Sequence, residues 1–291
     1  MSTKFTFFGS SRFSVIVLDE LERAGILPAI VVTTPDKPQG RKMTLTPTPV
    51  KTWALARKIP VLDPTKLDEA FIAKLKDCST DLFIVASYGK IIPQAVLDIP
   101  PQKTLNIHPS LLPRYRGASP LQSTMLDDTK ETGVTIMQID AAMDHGPIIA
   151  QEKVRIGEAG LAEWPTYEDF EESMAKKGAQ LLARVMPDWV AGKISPVEQD
   201  HTAATFTKKT KKEDGLIELA TADQYLAFRK IQAYHEWPQA YFFIEHNGKN
   251  IRVKITRASW QADAPAKLII EKVIPEGSKE MSYEDFIRGY R

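Results

Sequence analysis

FTFFGSSRFSVIVLDELERAGILPAIVVT, residues 5–33, sets a strand, a helix and a second strand in a row. Residues 5–8 are a short apolar run. Residues 11–24 then carry Phe13, Val17, Leu18 and Leu21 at helical spacing with charges opposite, and Gly25 closes the helix. The strand pattern returns at 26–33. Further strand-like runs fall at 59–62, 82–86, 104–107, 134–139 and 148–154, with helical patterns at 50–58, 67–76 and 93–98 between them. This rhythm predicts an α/β domain with a Rossmann-like, mostly parallel sheet and right-handed crossovers.

After residue 154 the pattern changes. A long helix is expected at 167–189, then a polar connector, a helix at 221–233 and strands at 240–245, 251–257 and 267–274. His246-Asn247-Gly248-Lys249 is a hairpin signal. The second module is expected to be a smaller, OB-like β-barrel that is trimmed in strand number. The expected division is 1–190 for the larger domain, 191–207 for a linker and 208–291 for the smaller domain.

Composition suits two domains: 291 residues, 43% of them hydrophobic. The net charge of +1 implies no globally acidic or basic partner. Charge is uneven locally, however. Residues 33–58 hold six Lys or Arg against Asp36 alone, and Lys208, Lys209, Lys211 and Lys212 form a second basic run. Such runs are solvated faces unless a site lies beside them. The single cysteine, Cys78, excludes an internal disulfide and is read as a buried, inert thiol. No signal-like start and no apolar run of spanning length occur, so a cytoplasmic protein without membrane contact is expected.

Parallel sheets bind ligands at the carboxyl ends of their strands. The first such turn has one glycine, so a dinucleotide fingerprint is absent. Gly9, Ser10 and Ser11 leave two readings open: an anion-binding helix terminus and a plain serine cap. The fifth strand ends in LNIHPSLLPRYRGASPL, residues 105–121. Asn106 and His108 are two apart and project to one side of that strand. AAMDHGP, residues 141–147, places Asp144 in the turn after the sixth strand. In a parallel sheet the two loops would be adjacent, and an amide, an imidazole and a carboxylate would converge as acyl transfer without a covalent intermediate requires. A structural histidine remains an alternative, as does a metal held by His108, Asp144 and His145. The GxSxG of a serine hydrolase is absent.

These motifs together resemble the formyltransferase family that uses formyltetrahydrofolate. VVTTPDKPQGRKMTLTPTPVK (31–51), GVTIMQIDAAMDHGPI (133–148), FTKKTKKEDGLIEL (206–219) and IQAYHEWPQAYFFI (231–244) extend the likeness over most of the chain. The resemblance implies Asn106, His108 and Asp144 as catalytic residues. It implies a folate-binding stretch at Ser110, Leu111, Leu112 and Pro113, and a pterin-lining turn at Val85, Ala86, Ser87, Tyr88 and Gly89. The co-substrate implied is 10-formyltetrahydrofolate, with no metal. The acceptor implied is the α-amine of initiator methionyl-tRNA, bound by a monomer. Arg41 and Lys42, in a segment at 35–49 read as an irregular loop, are expected to contact the tRNA acceptor arm, with Lys208, Lys209, Lys211 and Lys212 adding phosphate contacts. Arg12 stands where that family has an acid.

Overall fold

The structure, a computed structural model, describes residues 3–40, 43–157 and 164–290. The chain divides into two compact units. Unit 1 is 1–116, 133–154 and 171–206; unit 2 is 117–132, 155–170 and 207–291.

Unit 1 begins with β1 (Phe5–Phe8), α1 (Arg12–Arg23), β2 (Ile30–Val32), β3 (Lys37–Gln39), β4 (Thr44–Thr46), α2 (Pro49–Ala56) and β5 (Val61–Leu62). It continues through α3 (Glu69–Asp77), β6 (Leu82–Val85), α4 (Gln94–Leu97) and β7 (Thr104–His108). β8 (Arg116–Gly117) falls at the boundary, α5 (Pro120–Leu126) belongs to unit 2, and β9 (Glu131–Gln138), β10 (Ile148–Arg155) and α6 (Tyr167–Val190) follow with most of their residues in unit 1. The sheet is seven-stranded, ordered β10-β9-β7-β6-β1-β2-β5. β1 pairs in parallel with β2 on one side and β6 on the other. Phe5, Phe7 and Phe8 are buried, as the continuous apolar run of a strand covered on both faces requires. The mostly parallel α/β sheet is therefore present.

One part of the sequence expectation fails in detail. β9 runs antiparallel to β7, with Leu105 opposite Gln138 and His108 opposite Thr135. The chain thus leaves β9 beside the start of β7 rather than beside its carboxyl end. Parallel strands do not bring Asp144 to His108; the segment after β9, whose Ile139 N–H donates to Thr104 O, places Asp144 Oδ1 3.6 Å from His108 Nδ1. α6 backs the same strand closely. A Cβ on Gly178 would sit 2.4 Å from Ile107 Cγ2.

The segment 35–49 also differs from expectation. β3 and β4 form an antiparallel ribbon, with Lys37 opposite Thr46 and Gln39 opposite Thr44. Thr44, Leu45 and their neighbours are largely exposed, so no buried face imposes the apolar alternation that sequence reading depends on. Lys51 Nζ anchors the region by donating to Asp36 Oδ1 at 2.8 Å and Asp63 Oδ2 at 2.7 Å. Arg41 and Lys42 lie outside the described residues.

In unit 2, past β11 (Phe206–Thr207), come α7 (Gln224–Ala233), β12 (Tyr241–His246), β13 (Lys249–Gln261), β14 (Lys267–Pro275), β15 (Met281–Ser282) and α8 (Tyr283–Gly289). The four strands form an antiparallel sheet in sequence order. Its core gathers Ile231 of α7, Phe242, Val253, Ile255, Val273 and Phe286 of α8. The β-module expected to be short of strands is this four-stranded sheet. The hairpin at 246–249 is present, with Asn247 and Gly248 at φ 52° and 70°.

Candidate active site

β7 delivers Asn106 and His108 because its alternate residues face opposite ways: Leu105 and Ile107 enter the core, and Asn106 and His108 project from the other side. His108 is buried at 4% exposure. Its Nε2 lies 3.0 Å from the Tyr115 carbonyl oxygen. A carbonyl only accepts, so Nε2 carries the proton and Nδ1 is the remaining nitrogen. Nδ1 faces Asp144 Oδ1 at 3.6 Å. The imidazole is thus fixed at one end and open to a proton at the other. Asn106 is half-buried, and among the described residues its amide has no hydrogen-bond partner.

The fixed end is itself braced. Tyr115 sits at φ 59°, and its N–H donates to Thr205 Oγ1 at 2.8 Å. The stretch from Ser110 to Pro113 folds into a closed loop. Ser110 Oγ donates to Arg114 O at 2.7 Å, Thr135 Oγ1 donates to Ser110 O, and Leu112 N–H donates to Thr135 Oγ1. Ser110 and Leu112 are buried and Leu111 and Pro113 half-buried. The Ser110 hydroxyl is therefore occupied in shaping the loop.

Val85 ends β6, and residues 86–89 turn at its carboxyl end. Ser87 at φ 52° and Gly89 at φ 81° bend the backbone; Ala86 is buried and Ser87 exposed. The Ala86 and Ser87 carbonyls accept from Ser14 Oγ. Tyr88 is 2% exposed and packs edge-on to Phe8 at 5.5 Å. Burial pushes its phenol up to about 12. Its hydroxyl has no hydrogen-bond partner among the described residues.

The first turn resolves as a serine cap. Ser11 caps α1 in a reciprocal box with Ser14, and the Ser10 N–H donates to Ser87 O at 3.1 Å. The N–H groups of Gly9, Ser10 and Ser11 all donate within the protein, to Val32 O, Ser87 O and Ser14 Oγ, which favours the serine-cap reading. Arg12 pairs with Glu171 at 2.8 Å and Glu172 at 3.4 Å. His145, the other ligand of the metal alternative, pairs through Nδ1 with Asp140 Oδ2 at 2.7 Å and stacks on His201 at 4.0 Å. Cys78 is half-buried rather than buried; its thiol donates to Lys74 O, and burial pushes its pKa up, so reactive thiolate is depleted. Lys208, Lys209, Lys211 and Lys212 are exposed, in unit 2.

Sequence reading missed a buried polar cluster behind Asp144. Arg116 and Gln199 are 3% and 5% exposed. Arg116 Nε and Nη2 donate to Gln199 Oε1 at 3.1 and 2.7 Å, and Nη2 also reaches His201 Nδ1 at 2.9 Å. Gln199 Nε2 donates to Asp144 O at 3.0 Å and Gly146 O at 2.7 Å. The only available hint was an arginine inside the quoted 105–121 stretch; Gln199 had none.

Comparison with known proteins agrees with this architecture. A family profile described as formyl transferase matches residues 3–186. A methionyl-tRNA formyltransferase from Chloroflexus aggregans is 44% identical over 241 residues, covering 82% of this chain and 76% of the relative. One from Koribacter versatilis is 37% identical over 304 residues, covering 98% and 95%. The solved methionyl-tRNA formyltransferase of Clostridium thermocellum shares the fold, with a TM-score of 0.59 at 15% identity over 97% of this chain and all of that one. Sequence likeness of this extent shows that the chain belongs to the methionyl-tRNA formyltransferases, within the formyl transferase family.

Proposed function

We propose that the protein moves a formyl group from 10-formyltetrahydrofolate to the α-amine of initiator methionyl-tRNA, working as a cytoplasmic monomer. The observation that carries the mechanism is the approach of Asp144 to an imidazole whose tautomer is fixed by Tyr115, with Asn106 two residues before His108 on the same strand. The folate supplies an activated formyl group. The backbone turn at 85–89 and the closed loop at 110–113 suit a flat heterocycle, and the unpartnered Asn106 amide is a donor in want of an acceptor.

Two roles follow for the chain's own residues. The Asn106 Nδ2–H donates to the formyl oxygen as negative charge builds there. Preorganised donors of this kind lower a barrier by about 3–4 kcal/mol. A ring N–H of His108 is a weaker candidate for the same task, because Nε2–H is committed to Tyr115. His108 instead takes the amine proton at Nδ1 as the new C–N bond forms, and the Asp144 carboxylate 3.6 Å away stabilises the resulting imidazolium. That proton then goes to N10 of tetrahydrofolate as its bond to the formyl carbon breaks. Arg41, Lys42 and the lysines at 208–212 hold the tRNA phosphates.

The test is direct: supply 10-formyltetrahydrofolate with charged initiator tRNA, an amino sugar nucleotide or water alone. Formylated aminoacyl-tRNA as the main product is expected. Free formate or a formylated sugar at comparable rate would refute the acceptor assignment.

A further inference from the structure

We infer that Gln199, held by Arg116, is the positioning residue for the Asp144 carboxylate, and that the segment beyond the matched catalytic family region is therefore part of the catalytic apparatus. The inference rests on the reading of Asp144 as the carboxylate that stabilises the His108 imidazolium.

The argument begins with the turn itself. Asp144 adopts φ 50°, in the left-handed region that side chains rarely occupy. Gly146 is pressed against the end of β9, where an added Cβ would lie 2.1 Å from Gln138 O. Such a backbone persists only when its surroundings over-determine it. Two carbonyls of the turn, those of Asp144 and Gly146, accept both amide hydrogens of Gln199.

The Gln199 amide cannot serve in the reverse orientation. Its oxygen faces two guanidinium N–H groups of Arg116, and its nitrogen faces two carbonyl oxygens. A flip would oppose donors to donors and acceptors to acceptors. Arg116 thus sets the orientation of Gln199, and Gln199 sets the turn. Both are buried, where an unmet polar group is most costly. Arg116 is fixed in turn, its N–H donating to Thr205 O at 2.9 Å, and the segment that carries Gln199 is pinned by the bridge of Val197 to Ile148. Gln199 lies past residue 186, where the family match ends.

The geometry explains why this matters for turnover. Asp144 Oδ1 stands 3.6 Å from Nδ1, so a shift of about 1 Å would separate the carboxylate from the charge it stabilises. Misplacement on this scale costs roughly a hundredfold in rate.

The experiment compares the full-length wild type with Q199M, Q199N, D144N and Q199M/D144N. Single-turnover rate, KM for each substrate and thermal unfolding are measured on each. Q199M and Q199N should lower the formylation rate roughly ten- to hundredfold with both KM values near wild type, and Q199M should add less than about threefold on top of D144N. If Q199M does not fold, Q199N, which keeps a shortened amide, carries the comparison together with Q199N/D144N. A wild-type rate in the Gln199 variants, with D144N impaired, would overturn the positioning role and leave Asp144 catalytic. Equal, multiplicative losses in both backgrounds would also overturn it, as the mark of a merely structural residue. A wild-type rate in D144N would instead remove the catalytic reading on which the inference rests.

Discussion

At the scale of single residues, His108 carries the clearest forecast. Its ring contributes a buried hydrogen bond to Tyr115, but the core around β7 is made by Leu105 and Ile107. His108→Ala should fold, with a lowered unfolding midpoint, and lose on the order of a hundredfold or more in turnover. A folded variant with normal turnover would remove His108 from the mechanism. Tyr88 gives the opposite kind of forecast. Its hydroxyl is buried without a partner among the described residues, so it contributes desolvation cost and no bond. Tyr88→Phe should be neutral or stabilising by about 1 kcal/mol. If the turn at 85–89 reads the pterin through its backbone, the folate KM should not move. A weaker folate KM in Tyr88→Phe would assign the hydroxyl a contact with the ligand.

At the scale of elements, the legible parts were those with a buried face. α1 shows its period because Phe13, Val17, Leu18 and Leu21 must all be buried, and β1 shows its run because both its faces are covered. In the ribbon of β3 and β4, Lys37, Pro38, Thr44 and Leu45 are exposed, and no periodic trace was left. α5 is seven residues long, too short for a period to stand out. The direction of β9 was invisible for another reason: apolar alternation fixes a strand's faces but not its polarity. Asn106, His108 and Asp144 were singled out as candidates by residue type and by likeness. Gln199 was not, because its meaning depends on Arg116, which lies 83 residues away. The contact of α6 with β7 offers a test at this scale. Gly178→Ala gains helix propensity of about 1 kcal/mol, but its Cβ would meet Ile107 Cγ2 at 2.4 Å. Ile107 is β-branched and lies between the two polar residues of the site, so the clash should prevail by ~1–3 kcal/mol. Thermal unfolding of Gly178→Ala should fall and turnover with it. A higher midpoint would mean that β7 yields freely.

At the scale of the whole molecule, the balance of charge conceals local concentrations. Net charge is +1, while Lys208, Lys209, Lys211 and Lys212 stand exposed within five residues. If these lysines and the 41–42 pair neutralise phosphates, each contact adds roughly one unit to the salt slope of binding. Arg41→Ala and Lys42→Ala should raise the tRNA KM and flatten its salt dependence, with the folate KM unchanged. Wild-type tRNA binding by both variants across a salt series would rule out residues 41–42 as a tRNA contact.

The short pairing of Phe206–Thr207 with Arg116–Gly117 bears on how such chains exchange parts. A recombination junction just after α6 would respect the boundary of the recognised family region, yet it would hand the donor of the Asp144 turn to a foreign sequence. A junction after Thr207 would carry Val197, Gln199 and Thr205 along with the strands they clasp. Chimeras joined at the later point should inherit the parent's turnover, and those joined at the earlier point should keep its fold while losing its rate.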